Sequence, residues 1–144
     1  MDSSDAVSSL RACLRELRAA GLVDSYERVD LAAWTALRVG GISDLLIRCR
    51  TAEGARETLD LLASHGLRWV TMGSGSRLVP PDRPLRVPVV TVGGSLAHWE
   101  LVEGAVEAGG GAGLAQLHRS ITSAGVSGTP RLFGTSGTAG GAIE

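Results

Sequence analysis

Apolar positions in the N-terminal half of the chain predict a helix, a strand, a second helix and a second strand. The first helix is indicated by four apolar residues at helical spacing, with Gly21 placed to end it: Val7, Leu10, Leu14 and Leu17. Residues 44–50 are apolar at their centre and predict a strand, while residues 55–62 return to helical spacing after a capping Thr51. Residues 67–72 predict the second strand, so we expect a strand–helix–strand unit with parallel, neighbouring strands.

The second half of the chain has shorter elements. Four prolines within residues 80–88 predict a surface excursion rather than a central strand. Three short strands follow, the last two joined by a tight turn at Glu103–Gly104; their ranges are 89–93, 97–103 and 105–109. A third helix is predicted at 114–124, where apolar residues again recur at helical spacing. The fold class is therefore α+β: a small parallel unit followed by a mainly antiparallel unit with one packed helix.

Composition narrows the classes of function. The 144-residue chain has a net charge of −1, so it lacks the basic footprint of a nucleic-acid-binding protein. No apolar run is long enough to span a membrane, and the charged N-terminus is unlike a signal peptide, so we expect a cytoplasmic protein. Cys13 and Cys49 lack the spacing and the histidine neighbours of a zinc site, which predicts free thiols and no metal. All 14 cationic side chains are arginines, so chemistry that needs a lysine is excluded.

Three glycine-rich clusters indicate a ligand-binding site, and they lie at residues 73–76, 109–113 and 134–141. Glycine lets the backbone approach a ligand closely, and consecutive N–H groups in such turns form concave sites for anions. Serine and threonine hydroxyls add donors, and the combination suits a pyrophosphate. The first cluster is neither a P-loop, because no Gly-Lys pair is present, nor a Rossmann fingerprint, because Leu78 stands where the third glycine belongs. Each cluster taken alone is also compatible with ordinary turns between short strands.

Four segments, in matching order and spacing, resemble motifs of the UDP-N-acetylenolpyruvoylglucosamine reductases. They are TALRVGGISD at 35–44, MGSGS at 72–76, AVEAGGGAGLAQL at 105–117 and GVSGTPRLFGTSGTAGGA at 125–142. The resemblance runs from about Asp30 to the last residue and implies a flavoprotein fold of the vanillyl-alcohol-oxidase type. It implies one FAD-binding domain at 30–144, with lobes near 30–79 and 85–144, after an N-terminal helical segment at 1–29.

The same resemblance implies a non-covalent FAD held mainly by backbone and hydroxyl groups. The residues that it places against the cofactor are Gly73, Ser74, Gly75, Ser76, Arg77, Gly111, Ala112, Gly113, Gly134, Thr135, Gly137, Thr138, Gly140 and Gly141. Two departures from the reductase pattern bear on the site: Arg77 replaces an asparagine and Ser136 replaces a proline. Arginine can pair with a phosphate or can fill the site. The catalytic arginine, serine and glutamate of the reductases have no counterpart up to Glu144, so we expect no cell-wall reductase activity from this chain by itself.

Two functions from different classes stay open. One is a small flavin-dependent oxidoreductase, or a flavin-dependent cyclase, that acts on a small-molecule substrate in bacterial specialised metabolism. The other is a cofactor-free binding module or partner subunit on the same scaffold, whose open sheet edge could pair in a homodimer or with another chain. His98 and Glu100 share a strand face and are the candidate catalytic residues. A solvated strand face is the alternative for that pair.

Overall fold

The computed structural model describes residues 3–126 and 134–143. The helices in this part of the chain are α1 (Ser3–Ala19), α2 (Ala52–Ser64), α3 (Leu114–Ser123) and α4 (Ala139–Ile143). The strands are β1 (Val23–Asp30), β2 (Ile42–Cys49), β3 (Val70–Met72), β4 (Val89–Val92), β5 (Trp99–Val102) and β6 (Ala105–Ala108). The predicted α+β class is confirmed. None of the described helices has both the length and the apolarity that a membrane crossing needs.

The larger sheet has the strand order β1-β2-β4-β3. β2 and β3 both run parallel to β4, as the strand–helix–strand unit predicts, and β1 pairs antiparallel with β2. The prediction that β2 and β3 are neighbours is wrong, because β4 lies between them: Val90 pairs with Ile47 on one side and with Thr71 on the other. β4 therefore belongs to the parallel unit, although the sequence suggested a place in the antiparallel one.

The sequence predicts no strand where β1 lies. This strand is polar at most positions, and of its residues only Val23 is fully buried. Its ladder with β2 runs from Val23 opposite Cys49 to Asp30 opposite Ile42, so backbone pairing defines the strand more than side-chain burial does. The predicted boundary between a helical segment at 1–29 and the following domain falls inside this strand. The division into two lobes stays a prediction.

The core covers both faces of the larger sheet at β2. Ile47 packs with residues of α1 and α2, Leu46 packs in a separate cluster, and neither side chain is exposed. The buried members of the first cluster are Leu10, Leu14, Val23, Ile47, Cys49, Leu62 and Val90. Those of the second are Leu31, Leu46, Met72 and Val89. The apolar face predicted for α1 is thus confirmed at Leu10 and Leu14.

The second unit is the two-stranded antiparallel sheet β5-β6, packed on α3. Its turn is the predicted one: Glu103 and Gly104 both have positive φ, at 50° and 83°, which suits a tight hairpin. Trp99 and Val106 pack against the helix from the strands. The helix buries the three residues of its predicted apolar face, Leu114, Leu117 and Ile121. This unit therefore has a small core of its own.

Thr51 caps α2, and its replacement gives a stability prediction. Its hydroxyl oxygen accepts a hydrogen bond from the Gly54 N–H at 3.0 Å. Thr51→Ala should lower the free energy of unfolding, measured by urea denaturation, by about 1 kcal/mol because a helix amide loses its acceptor. Thr122→Ala is the matched control: this hydroxyl bonds back to the His118 carbonyl within α3, so the change should stay under about 0.5 kcal/mol. Equal losses in the two variants would contradict the capping role.

Candidate functional site

The first and third glycine clusters of the sequence meet in space. The segment 73–77 follows β3, the segment 137–141 leads into α4, and a cleft of about 170 Å³ is lined by both. We call it the glycine cleft; its lining residues are Thr71, Met72, Gly73, Ser74, Gly75, Ser76, Arg77, Leu78, Gly137, Thr138 and Gly141. More than half of the residues that the sequence places against a cofactor therefore line one cavity.

Gly73 lies where the two segments approach each other closely. A Cβ atom on this residue would stand 2.6 Å from Thr138 Oγ1, far inside van der Waals contact. The Gly73 carbonyl accepts a hydrogen bond from the Thr91 hydroxyl at 3.5 Å, which ties the segment to β4. Space, rather than an unusual backbone conformation, therefore accounts for a glycine at this position.

Gly75 is required both by its conformation and by its surroundings. Its φ is 65°, in the left-handed region that glycine adopts without strain. Its carbonyl accepts a hydrogen bond from the Ala36 N–H at 3.1 Å, and a Cβ atom would lie 2.4 Å from the Trp34 carbonyl oxygen. The segment is thus held against the short 3₁₀ helix Leu31–Trp34.

The segment 137–141 is anchored on the second unit. Gly137 has a φ of 124°, and its carbonyl accepts a hydrogen bond from the Leu114 N–H, at the start of α3, at 3.0 Å. The Gly140 N–H donates to the Gly110 carbonyl at 2.8 Å. The cleft therefore lies between a segment of the larger sheet and a segment held by the smaller unit.

Some predicted cofactor residues do not line the glycine cleft: Gly111, Ala112, Gly113, Gly134, Thr135 and Gly140. Ala112 is buried, and its carbonyl accepts a hydrogen bond from the Ala139 N–H at 2.8 Å. Ala112 therefore holds the first residue of α4 in place. Residues 127–133 of the fourth motif lie outside the described residues. Contact between these residues and a cofactor stays a prediction.

The glycine cleft carries a positive charge. Among the described residues that line it, Arg77 is the charged one and none is a carboxylate. The guanidinium donates a hydrogen bond to the Gly141 carbonyl of the opposite segment. Serine and threonine hydroxyls line the cleft as well, at Ser74, Ser76 and Thr138. One cation with several hydroxyl and backbone groups suits a ligand that bears phosphate.

A second cavity of about 300 Å³, largely apolar, adjoins the glycine cleft. It shares Thr71, Met72, Gly73, Thr138 and Gly141 with the cleft. Its other lining residues are Cys49, Ala55, Leu59, Val90, Thr91, Val92, Gly110 and Gly140. We call it the apolar cavity; the carboxyl ends of β2, β4 and β3 all reach it. Sequence reasoning missed most of these residues, although ligands commonly bind beyond the carboxyl ends of parallel strands.

Cys49 brings a thiol to the apolar cavity. Burial raises the pKa of Cys49, and the neighbouring Thr58 hydroxyl only partly offsets that effect. The thiol therefore stays protonated at neutral pH and is a poor nucleophile. Cys13 and Cys49 are both free, as the sequence predicts.

The candidate catalytic pair lies on the smaller unit. Glu100 is part of β5 and His98 directly precedes that strand, where its carbonyl accepts a hydrogen bond from the Gly109 N–H at 2.8 Å. Both residues are exposed, and neither lines the glycine cleft or the apolar cavity. A catalytic role for this pair stays a prediction.

Comparison with known proteins finds relatives that are longer than this chain. Over 130 residues it is 32% identical to the UDP-N-acetylenolpyruvoylglucosamine reductase of Bacillus velezensis, a match that covers 90% of this chain and 43% of that protein. The crystal structure of the UDP-N-acetylenolpyruvylglucosamine reductase from Thermus caldophilus matches 85% of this chain and 41% of its own, with a TM-score of 0.67 and 25% identity.

A second solved structure shares the fold. It is CrmK, described as a flavoenzyme involved in the shunt product recycling mechanism in caerulomycin biosynthesis; the match covers 71% of this chain and 22% of CrmK, with a TM-score of 0.54 and 20% identity. No family model matches the chain. The chain spans less than half the length of these three relatives.

Proposed function

Since this chain is a domain of the UDP-N-acetylenolpyruvoylglucosamine reductase type, with a flavin-binding, oxidoreductase-like scaffold, we propose that it binds FAD non-covalently. We further propose that it acts in the bacterial cytoplasm on a small-molecule substrate of specialised metabolism, as a flavin-dependent oxidoreductase or cyclase. The match covers 43% of the Bacillus velezensis reductase, so the reaction of that enzyme is not transferred to this chain.

The observation that carries the proposal is the meeting of the two glycine segments at one positive cleft. A pyrophosphate spreads its charge over several oxygens and needs donors from more than one side. The glycine cleft offers backbone from both segments, serine and threonine hydroxyls and the Arg77 guanidinium, and none of its described lining residues carries a carboxylate that would repel the ligand. Gly73 leaves open the space that a Cβ atom would take beside Thr138. The residues present therefore fit the diphosphate of FAD.

The residues of this chain would bind and orient the cofactor, which supplies the redox chemistry when bound. Arg77 and the hydroxyls of Ser74, Ser76 and Thr138 would hold the diphosphate. The apolar cavity would shield from water the part of the ligand that lies beside it. None of the described residues that line the two cavities is a histidine, and burial raises the pKa of the Cys49 thiol, which supports a non-covalent complex.

A cofactor-free binding module or partner subunit is the second candidate. Arg77 favours it, because a guanidinium bonded to the Gly141 carbonyl takes up space between the two segments. The edges of the β5-β6 sheet pair with no other strand within the described ranges and could accept a strand from a second copy or another chain. A monomer by size-exclusion light scattering that also binds FAD would count against this candidate.

The test of FAD binding is the absorbance spectrum of protein purified without added cofactor. We expect the bands of an oxidised flavin, and FAD as the molecule released on denaturation and identified by its mass. If the purified protein is colourless, titration with FAD should restore the bands. A protein that is colourless and also fails to bind added FAD would contradict the proposed function. The second candidate, a cofactor-free binding module or partner subunit, would then remain.

A further inference from the structure

A third cavity, of about 370 Å³, lies at the opposite end of the parallel strands from the glycine cleft. We call it the amino-end cavity. Asp44 and Leu45 of β2 and Pro88, just before β4, line it, whereas Cys49 and Val92, at the carboxyl ends of the same two strands, line the apolar cavity. Leu45 and Cys49 are four residues apart in β2, a distance of about 13 Å along a strand. The amino-end cavity is therefore separate from the proposed cofactor site.

Part of the wall of the amino-end cavity is apolar. The apolar residues that line it are Leu10 of α1, Leu45 of β2, Leu67 and Pro88. Leu10 is buried in the core cluster that contains Ile47, and Leu45 and Leu67 pack against that cluster. This wall is thus a closely packed part of the core, and it can receive an apolar group without rearrangement.

The rest of the wall is charged, with more cations than anions among its described residues: Arg11, Glu27, Arg28, Asp44 and Arg86. Arg11 Nε lies 3.1 Å from Glu27 Oε1, so these two charges pair with each other. Arg28 and Arg86 form no ion pair with any residue in the described part of the chain. A ligand carboxylate would therefore meet two guanidinium groups to which no described acid is bound.

Arg28 and Arg86 come to the cavity from the two sides of β2. The register of the β1–β2 ladder places Arg28 opposite Asp44, and the φ of Arg28 is 53°. On the other side of β2 the Asp44 N–H donates to the Leu85 carbonyl at 3.0 Å, which places Arg86, the next residue, beside the same strand. A left-handed conformation is unfavourable for a residue with a Cβ atom, and such strain is concentrated at binding sites.

We propose that the amino-end cavity binds a small carboxylic acid with an apolar body, independently of the flavin. The carboxylate accepts hydrogen bonds from Arg28 and Arg86, because a guanidinium presents its donors in a fork that matches a carboxylate. The apolar body lies against Leu10, Leu45 and Leu67. Asp44 disfavours a ligand of higher negative charge, such as a phosphate, because like charges at one site repel.

Ligand-observed NMR titration of the wild-type protein tests the inference with hydrocinnamate, the amide of that acid, and acetate. Hydrocinnamate should bind with a Kd of about 1 mM or tighter. The amide lacks the charge, and acetate lacks the phenylethyl group, so each should bind at least about 5-fold more weakly.

The variants test the two arginines separately. Arg86→Gln and Arg28→Asn should each weaken hydrocinnamate binding by about 3- to 10-fold and leave binding of the amide unchanged. Asparagine suits position 28 because it tolerates the left-handed conformation. Asp44→Asn should tighten hydrocinnamate binding about 2-fold, since a repelling charge is removed.

Arg68→Gln is the matched control, because Arg68 is exposed, follows Leu67 in sequence and lines none of the three cavities. Its affinity for hydrocinnamate should equal that of the wild type. Urea denaturation of each variant separates a loss of affinity from a loss of fold. FAD titration of the same proteins should give one affinity throughout, since none of the substituted residues lines the glycine cleft.

Three results would overturn the inference. The first is a wild type that does not bind hydrocinnamate at about 10 mM, and the second is equal affinity for the acid and its amide. The third is hydrocinnamate binding that neither Arg28→Asn nor Arg86→Gln weakens. Tighter binding of L-phenylalanine, lost in Asp44→Asn, would also contradict a plain acid and assign a zwitterion instead. Binding of the acid by a protein that does not bind FAD would keep this inference while the proposed function fails.

Discussion

Gly75→Ala is expected to abolish FAD binding and to lower the free energy of unfolding by about 2–4 kcal/mol. The φ of 65° at this position costs roughly 1–2 kcal/mol for a residue with a Cβ atom. The new Cβ would also stand 2.4 Å from the Trp34 carbonyl oxygen and 2.9 Å from Thr35 Cα, backbone atoms that cannot rotate away. The segment must therefore move, and the hydroxyls of Ser74 and Ser76 move with it.

Urea denaturation measures the stability of Gly75→Ala, and titration with FAD measures its affinity. Gly113→Ala is the comparison, because its φ is −74° and a Cβ would meet no atom within 4 Å. It should cost less than about 1 kcal/mol. Lost FAD binding in a stable Gly113→Ala protein would support the predicted approach of Gly113 to the cofactor. Wild-type behaviour of Gly75→Ala would show that the segment tolerates a side chain at its left-handed residue.

Elements that bury one face were predictable from the sequence, because burial leaves a periodic pattern. α3 shows this at Leu114, Leu117 and Ile121, which recur at helical spacing and are all buried. β1 leaves no such pattern, since its ladder with β2 joins backbone groups and half of its residues are exposed. The hydrophobic periodicity of the sequence does not identify a polar strand of this kind.

The place of β4 was only partly encoded in its own residues. Val89, Val90 and Thr91 are buried in succession, and such a run of β-branched residues is typical of a parallel strand covered on both faces. That signal indicates a central strand. It does not say which strands lie on either side, because the pairing of Val90 with Ile47 and Thr71 joins distant parts of the chain.

The candidate site, too, was predictable from the sequence only in part. Each glycine cluster was visible as a turn, but the meeting of Gly73 with Thr138 was implied only by the resemblance to the reductases, because no local pattern reports a contact at that separation. The bond from Arg77 to the Gly141 carbonyl had no sequence signal at all. The apolar cavity follows from the carboxyl ends of three parallel strands, so it required the strand order first.

Gly73→Ala is expected to weaken FAD binding by about 100-fold, or about 2.7 kcal/mol. The new Cβ would lie 2.6 Å from Thr138 Oγ1, so the Thr138 hydroxyl must turn away or the two glycine segments must separate, and either change takes donors from the diphosphate. Gly73 is exposed, and its φ lies outside the left-handed region, so the free energy of unfolding should change by less than about 1 kcal/mol. This variant should therefore lose FAD affinity while it keeps its free energy of unfolding.

A double-mutant cycle with Thr138→Ala identifies the cause. Thr138→Ala alone removes a hydroxyl that lines the cleft and should weaken FAD binding by about 10-fold. The same change also removes the Oγ1 atom that the new Cβ would press on, so Gly73→Ala/Thr138→Ala should bind FAD about as well as Thr138→Ala alone. That result is a coupling of about 2–3 kcal/mol between the two positions. Losses that simply add would show that the closeness of the two segments does not control binding, and that Gly73 acts through its own backbone.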